Sequence, residues 1–402
     1  MRVLHLNDYL ASRGGIETYL LSIVPRLEAY GHEAIVGFAE GDSSLVSHAE
    51  PIPALSSPSI SRRAEARLAV GRVIQRNRPD VVHLHNVQNV GAIEACLDST
   101  PTIFTCHDYR YLCPASSYYF RGTQEVCRRT CGPMCFAMTA TKRCMSPHPI
   151  RGWRQYSRVR WMQQNYARFE RVIAPSTGAA SRLTDAGFEP AKIQVLPYFC
   201  PVRPLPEPRE LPEQPSLLFI GRMSENKGWR YFIEALGRLP GNVQGRMVGN
   251  FTPESEADAR SCAESVGCGD RLSLHPWAGR DEIVDHYRQA TLTVFPSIWD
   301  ETLGIVGLES LACGVPVVAS DVGGVREWLH DGVTGVLVAP KDPAGIARAA
   351  ERLLGSTAEN RKMGASGIEL IQQKFATELH TETLIEEYQI AASGIPKTVA
   401  AV

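Results

Sequence analysis

Six prolines fall between Pro201 and Pro215, in a stretch reading PVRPLPEPRELPEQP. Each removes a backbone donor and holds φ at about −65°, so neither a helix interior nor a central strand can pass through. The segment 201–215 reads as a stiff linker. It divides 402 residues into two halves, each long enough for its own core. In both halves short apolar runs alternate with amphipathic stretches. That rhythm predicts two α/β domains on parallel sheets, over 1–200 and 216–375, with a final helix and tail over 376–402. A helix that follows a complete second domain is expected to pack back on the first.

In the first half, residues 2–6 alternate and stop at Asn7-Asp8, a strand and its exit. Arg13, Gly14 and Gly15 follow, then an amphipathic helix over 18–30. A glycine pair between strand and helix either makes a tight turn or lets backbone amides approach a phosphate or sugar. Further strand patterns cover 34–38, 80–84 and 101–106, with a helix over 61–77. The last two strands end in His85-Asn86 and His107-Asp108. Open parallel sheets meet ligands at the C-terminal edges of their strands. His107 is therefore either a site residue or a loop histidine satisfied by hydrogen bonds.

The alternation then breaks over 106–150, where no periodicity is evident and Cys113, Cys127, Cys131, Cys135 and Cys144 cluster. Four thiolates can close a structural zinc site and hold a loop that lacks a core. The C-x3-C-x3-C spacing also fits redox-active or free thiols. Between positions 126 and 184 there are eleven Lys/Arg and one acid, Glu170. Trp153, Tyr156, Trp161, Tyr166 and Phe169 are interleaved with them. The segment 151–169 is thus either a solvated basic face with aromatics in the core, or a surface for an anionic membrane or acceptor.

The second half restarts with a strand over 216–220 and the loop GRMSENKG, then a helix to Leu239. Gly228 follows the lysine where a P-loop needs Ser or Thr. Arg222 can still fork onto phosphate oxygens and Lys227 adds a point charge. Strands over 244–248 and 272–274 end in Gly249-Asn250 and, a little further on, Trp277-Ala278-Gly279. The strand 292–295 runs into PSIWDETLGIVGLESLACGVPVVASD, residues 296–321. Glu301 lies at that strand-to-helix junction. Thr302, Leu303 and Gly304 form a permissive turn, Ile305 opens the helix, and Glu309 lies within it. Helical rise over eight residues would separate the carboxylates by roughly 12 Å, about the span of a sugar, a diphosphate and a ribose. The remaining stretch, 344–389, reads as helical.

A net charge of −1 gives no argument for nucleic acid. No apolar run approaches a membrane span. The opening residues turn polar too soon for a secretory leader, so a cytoplasmic protein is expected.

The stretch ETLGIVGLESLACGVPVVAS resembles the E-x7-E signature of glycosyltransferase family 4, retaining nucleotide-sugar transferases of GT-B fold. GRMSENKG resembles that family's Arg/Lys diphosphate loop, and RGGIETYL its N-terminal glycine loop. The resemblance covers nearly the whole chain. It implies two Rossmann-like domains facing a cleft, with the acceptor on the first and the donor on the second. Arg222 and Lys227 would bind the donor diphosphate, Glu301 the transferred sugar, and Glu309 the ribose. Amides of Leu303 and Gly304 would lie near sugar and phosphate. Gly15 would approach the phosphates, His107 would contact the sugar, and Gly249 with 277–279 would wall the base pocket. CHDYRYLCP and the cysteines after it resemble bacterial polysaccharide and lipopolysaccharide transferases. The middle cysteines are spaced differently, leaving Cys131 and Cys135 as alternatives beside Cys113, Cys127 and Cys144. Leu196-Pro197-Tyr198-Phe199 replaces the family's usual Asn-Gly hinge.

These features imply transfer from a UDP- or GDP-sugar to a glycan or lipid-linked hydroxyl, at the inner membrane face or in the cytoplasm. No D-x-D occurs, which fits catalysis without a metal. A sugar-nucleotide epimerase or hydrolase, and a non-catalytic sugar-nucleotide-binding assembly subunit, are the competing readings.

Overall fold

The computed structural model describes residues 1–11, 14–56, 62–206, 209–277 and 279–394. Arg13, Ser61, Pro208, Ala278 and the tail 395–402 lie outside the described residues.

In chain order the first part gives β1 (Arg2–Leu10), α1 (Gly15–Ala29), β2 (Glu33–Gly41), β3 (Ala49–Pro51), α2 (Arg63–Asn77), β4 (Val81–Leu84), α3 (Val90–Ser99) and β5 (Thr102–Thr105). A hairpin, β6 (Tyr119–Phe120) and β7 (Glu125–Val126), follows, then α4 (Met134–Lys142) and α5 (Pro149–Asn165). β8 (Arg171–Ala174), α6 (Thr177–Ala186) and β9 (Ile193–Val195) complete it. The second part gives β10 (Ser216–Ile220), α7 (Trp229–Gly237), β11 (Gln244–Gly249), α8 (Pro253–Ser265), β12 (Leu272–Pro276), α9 (Arg280–Arg288) and β13 (Leu292–Phe295). Then come α10 (Ile305–Ala312), β14 (Val317–Ser320), β15 (Gly335–Val338), α11 (Pro343–Leu354), α12 (Thr357–Lys374) and α13 (Thr377–Ser393).

The chain forms two compact units. Unit 1 holds 1–118, 127–201 and 377–402; unit 2 holds 119–126 and 202–376. The unit 1 sheet has the order β3-β2-β1-β4-β5-β8-β9, with every pairing parallel. The unit 2 sheet has the order β12-β11-β10-β13-β14-β15, again parallel throughout. Strands such as Val317–Ser320 are buried along their whole length, which is why they read as apolar runs rather than alternating ones. In unit 2, Trp229, Phe232, Leu236, Val294 and Ile346 pack one core between sheet and helices. Strand order reverses between β10 and β13, and the crevice outside the C-terminal ends of such neighbours is where an open sheet receives ligand.

Several elements differ from the sequence expectation. β1 continues past Asn7-Asp8 to Leu10, because those side chains are buried and hydrogen-bonded instead of ending the strand. The segment 106–150 contains the hairpin and α4, both too short to show a period. The hairpin belongs to unit 2, where Tyr231 donates to the Gln124 side chain at 3.2 Å. The stretch 344–389, read as helical, is divided into three helices. The last, α13, is part of unit 1: buried Glu387 pairs with Arg171 at 2.5 Å, and the Tyr388 hydroxyl lies 2.7 Å from His83 Nδ1.

Candidate active site

The β10 and β13 exits build the densest group of candidate residues. Ile220 leads into the loop carrying Arg222 and Lys227; Phe295 leads into Pro296 and Glu301. The two loops are tied by Ile298 N–H donating to the Asn226 carbonyl at 2.9 Å. Gly228 holds φ +71°, and a Cβ there would stand 1.8 Å from the Pro296 carbonyl oxygen. Gly323 holds φ +51°, where a Cβ would be 2.1 Å from the Glu301 carbonyl oxygen. The first glycine of the 323–324 turn thus lets β14's exit close over Glu301. The second, Gly324, donates its N–H to the Glu301 carbonyl at 2.8 Å.

Lys227 Nζ donates to Glu301 Oε1 at 2.7 Å. The same oxygen accepts from Ser297 Oγ at 2.6 Å, and the Lys227 ammonium lies 5.3 Å from the Trp299 ring centroid. Glu301 is only 3% exposed, so a compensating cation and hydroxyl are what make a carboxylate tolerable there. Arg222 is exposed and makes no ion pair among the described residues. One cation of the loop is therefore already committed to Glu301, and the other is open to an anion.

Glu301 lies in the loop, four residues before α10 begins at Ile305, so helical rise does not measure its separation from Glu309. Gly304, with φ +96°, caps α10; Thr302 and Leu303 are buried and Ile305 is half-buried. Trp328 Nε1 donates to the Leu303 carbonyl at 2.7 Å and fixes the turn. Half-buried Glu309 accepts from the Tyr287 hydroxyl at 2.9 Å. Gly249 ends β11 against the Gly221 carbonyl, with Asn250 exposed beside it. Trp277 is exposed just after β12. Ser297, Tyr287 and Trp328 were not anticipated. A serine, tyrosine or tryptophan carries no spacing signal, and Tyr287 and Trp328 act through partners 22 and 25 positions away.

In unit 1, Gly14 caps α1 and Gly15 opens it, both exposed. The Glu17 carboxylate folds back over Gly14. His107, expected either as a sugar contact or as a loop histidine satisfied by hydrogen bonds, has both ring nitrogens engaged. It is 8% exposed, its Nδ1 lies 2.7 Å from the Tyr198 hydroxyl, and its Nε2 lies 2.8 Å from His85 Nδ1. The chain continues from His85 Nε2 to His5 Nδ1 at 3.1 Å. Burial holds His5 and His107 down to about 3, and His83 and His85 well below the ordinary value, so these rings are neutral. Nitrogens of His5, His83 and His85 lie within 4.8 Å of one another. Both His83 nitrogens are engaged, by Tyr388 and Thr105, so His83 offers no free ligand atom and stands beside the hydrogen-bonded column of His5, His85, His107 and Tyr198. Tyr198, in the stretch that departs from the family's hinge pattern, anchors the head of this column.

The thiols of 106–150 are neighbours without forming a closed cage. Cys131 keeps its proton and hydrogen-bonds Cys135, which is held below the ordinary thiol value by that bond. Burial pushes Cys113 up to about 11 and raises Cys127. Cys144 lies 3.7 Å from the Thr139 hydroxyl. Among the described residues no three of these sulfurs lie within 4.8 Å of one another. The all-thiol donor set suits zinc, and Cys113, Cys127 and Cys144 with Cys131 or Cys135 are the residues that would hold it.

Two doubly wound parallel units, one carrying a cationic loop and a buried glutamate at its switch point, have the architecture of GT-B glycosyltransferases. The family description "Glycosyltransferase Family 4" matches residues 13–201, and "Glycosyl transferases group 1" matches residues 205–370. The chain belongs to this glycosyltransferase family. It is 34% identical over 231 residues to D-inositol 3-phosphate glycosyltransferase of Thermobifida fusca (strain YX), covering 52% of this chain and 53% of that protein. The enzyme of the same name from Geodermatophilus obscurus is 31% identical over 256 residues, covering 59% and 56%. The chain thus spans about half the length of the curated relatives it matches. Among solved structures, a Rickettsia africae glycosyltransferase aligns with TM-score 0.74 at 16% identity, covering 98% of this chain and 99% of that one. Sucrose-phosphate synthase from Thermosynechococcus elongatus aligns with TM-score 0.74 at 20% identity, covering 98% and 100%. Anabaena HepE, solved with UDP-glucose, aligns with TM-score 0.71 at 18% identity, covering 97% and 99%.

Proposed function

We propose that this chain is a retaining glycosyltransferase that moves a hexosyl group from a nucleoside-diphosphate sugar to a hydroxyl of a glycan or lipid-linked acceptor. The observation that carries the reading is the Lys227–Glu301 pair beside an unpaired Arg222 at the β10/β13 switch point. Arg222 forks onto the diphosphate. Lys227 is shared between phosphate and Glu301, so that binding of one orients the other. Charge develops on the departing phosphate, and Arg222, Lys227 and the α10 N-terminus stabilise it without a divalent metal. Glu301 accepts hydroxyls of the transferred sugar, and Glu309, held by Tyr287, accepts the ribose hydroxyls. Gly249, Asn250 and Trp277 border the base. A UDP- or GDP-sugar is the expected donor; UDP-glucose bound to a protein of the same fold supports the first.

Unit 1 takes the acceptor in this reading, with His107 as a neutral, oriented ring. No described helix is long and apolar enough to cross a membrane. Exposed Met134, Ile150 and Trp153, next to the basic residues of α5, favour peripheral attachment to an anionic membrane surface in polysaccharide assembly.

The deciding experiment is a thermal-shift panel of UDP-, GDP-, ADP- and TDP-sugars. A stabilising nucleotide-sugar should lose its effect in Arg222→Gln. Stabilisation by none of the four, or equal stabilisation of R222Q, would overturn the donor site.

A further inference from the structure

The hairpin of β6 and β7 is contributed by the first half of the chain but belongs to unit 2. Its strands pair Tyr119 with Val126 and Phe120 with Glu125, and the Cys127 N–H closes its base on the Tyr118 carbonyl at 2.6 Å. Two rungs cannot stand alone in water. The hairpin persists by packing, with Tyr119 and Phe120 both buried.

Its turn carries a strained residue. Gln124 has φ +54°, in the left-handed region that disfavours most L residues. Glycine, asparagine or aspartate is the ordinary occupant of such a position. A strained backbone that keeps an unsuited side chain points to a role for that side chain. Here Gln124 Oε1 accepts from the Tyr231 hydroxyl at 3.2 Å.

Tyr231 lies in the first turn of α7, directly after the loop that carries Arg222 and Lys227. Its N–H donates to the Gly228 carbonyl at 2.9 Å, and the Gly228 N–H donates to the Glu225 carbonyl at 3.0 Å. Lys227 stands between Glu225 and Gly228 in that single tight turn. Glu225 is itself paired with Arg230 at 3.2 Å. A second hairpin residue reaches the same group. Burial, then the nearby Tyr231 hydroxyl and Glu225 carboxylate, push the Tyr119 hydroxyl up to about 12.

We propose that Gln124 is a positioning residue for the cationic loop, acting through Tyr231. The hairpin clamps the α7 end of the loop, so Lys227 and Arg222 are set for an anion before it arrives and less ordering is left to binding. The proposal rests on the transferase reading only for calling that anion the diphosphate of a nucleotide-sugar.

The test uses the full chain and the variants Gln124→Gly, Tyr231→Phe and the two combined. Gln124→Gly removes the amide while relieving the backbone, so a purely structural hairpin predicts equal or greater resistance to urea and nothing else. A clamp predicts two further changes. Amides of 221–231 should exchange with deuterium about three- to tenfold faster in the free protein. Affinity for UDP or GDP, whichever the wild type binds in titration calorimetry, should fall by about three- to tenfold, the factor expected for one hydrogen bond. The double variant should match the single ones, because both remove the same bond. Exchange is read without ligand, so it decides the clamp even where neither nucleotide binds the wild type, an outcome that overturns the donor site alone. Unchanged exchange, or unchanged affinity for a nucleotide that the wild type binds, overturns the proposal.

Discussion

Lys227 Nζ stands 2.7 Å from Glu301 Oε1, an ion pair that joins loops 74 positions apart at the ends of two adjacent parallel strands. Both partners were expected at the site, but as separate binders of phosphate and sugar. Their pairing couples the two roles. Lys227→Met strips the leaving phosphate of one cation and leaves Glu301 buried without its counter-charge. Turnover should fall about 10²- to 10³-fold, followed as release of nucleoside diphosphate, with the folded state checked by circular dichroism. Wild-type turnover in K227M would detach the pair from catalysis.

Glu309 is expected to act differently from Glu301. It is half-buried, held by Tyr287, and placed inside α10 beyond the turn. Glu309→Gln should raise the donor Michaelis constant about tenfold or more with little change in turnover number. Glu301→Gln should chiefly lower the turnover number. If both substitutions raise only the Michaelis constant, the division of labour is wrong.

The buried histidine column makes a pH prediction. His5 and His107 are held down to about 3 and His380 to about 4, chiefly by burial, while an unfolded histidine titrates near its ordinary 6.5. The unfolded state therefore binds more protons below pH 6.5. Their contribution to stability is full above that pH and lost as pH falls, by about 1.4 kcal/mol per unit for each ring. Asp8 works in the opposite sense. Burial raises it to about 7 against the attraction of Arg110, so it favours the folded state as pH falls from 7 toward 4. Melting temperatures between pH 8 and 5 should drop on the acid side, and Asp8→Asn should steepen the drop. A flat wild-type profile, or a shallower one in D8N, would contradict this assignment.

Two glycines separate geometric need from permissiveness. Gly228, at φ +71°, has the Pro296 carbonyl where a Cβ would go, whereas Gly71 in α2 has open space. Gly228→Ala should cost more than about 2 kcal/mol, combining left-handed strain with the clash. Gly71→Ala should be neutral or stabilising by up to about 1 kcal/mol. Urea unfolding of both variants checks the contrast; equal effects would mean the two loops tolerate separation.

Chelation distinguishes a structural metal from a catalytic one. Elemental analysis should find zinc bound through the thiols of 106–150, reduced in Cys113→Ser. Brief EDTA treatment should leave the initial transfer rate intact, while prolonged treatment lowers the melting temperature. Immediate loss of transfer, restored by manganese, would overturn the metal-free account of the leaving group. Zinc-free protein with unaltered melting in EDTA would leave the cysteines as free thiols.

Much of this was legible in the linear chain because it depends on local chemistry. Six prolines exclude helix and central strand wherever the chain folds. Fully buried parallel strands must be apolar runs, so most of them, and the polar residues at their ends, could be read off directly. The proposals for Arg222, Lys227, Glu301 and Glu309 rest on the same kind of local pattern. Short elements were missed because a period needs length: α4 has nine residues, and each hairpin strand has two.

What tertiary structure alone decided is who partners whom. Glu301 meets Lys227 because strand order places β10 beside β13, and Glu309 meets Tyr287 across 22 positions. Both His107 nitrogens are taken by partners distant in sequence, Tyr198 and His85. The sequence left the basic stretch 151–169 as either a solvated face or an anionic surface. Packing of α5 made part of it a cavity wall, with Arg158 buried beside Arg110 and acted on by Asp108 and Asp8. Residue type sets which charges exist; only burial and neighbours set which of them remain to be answered, because the energy of a charge depends on its surroundings.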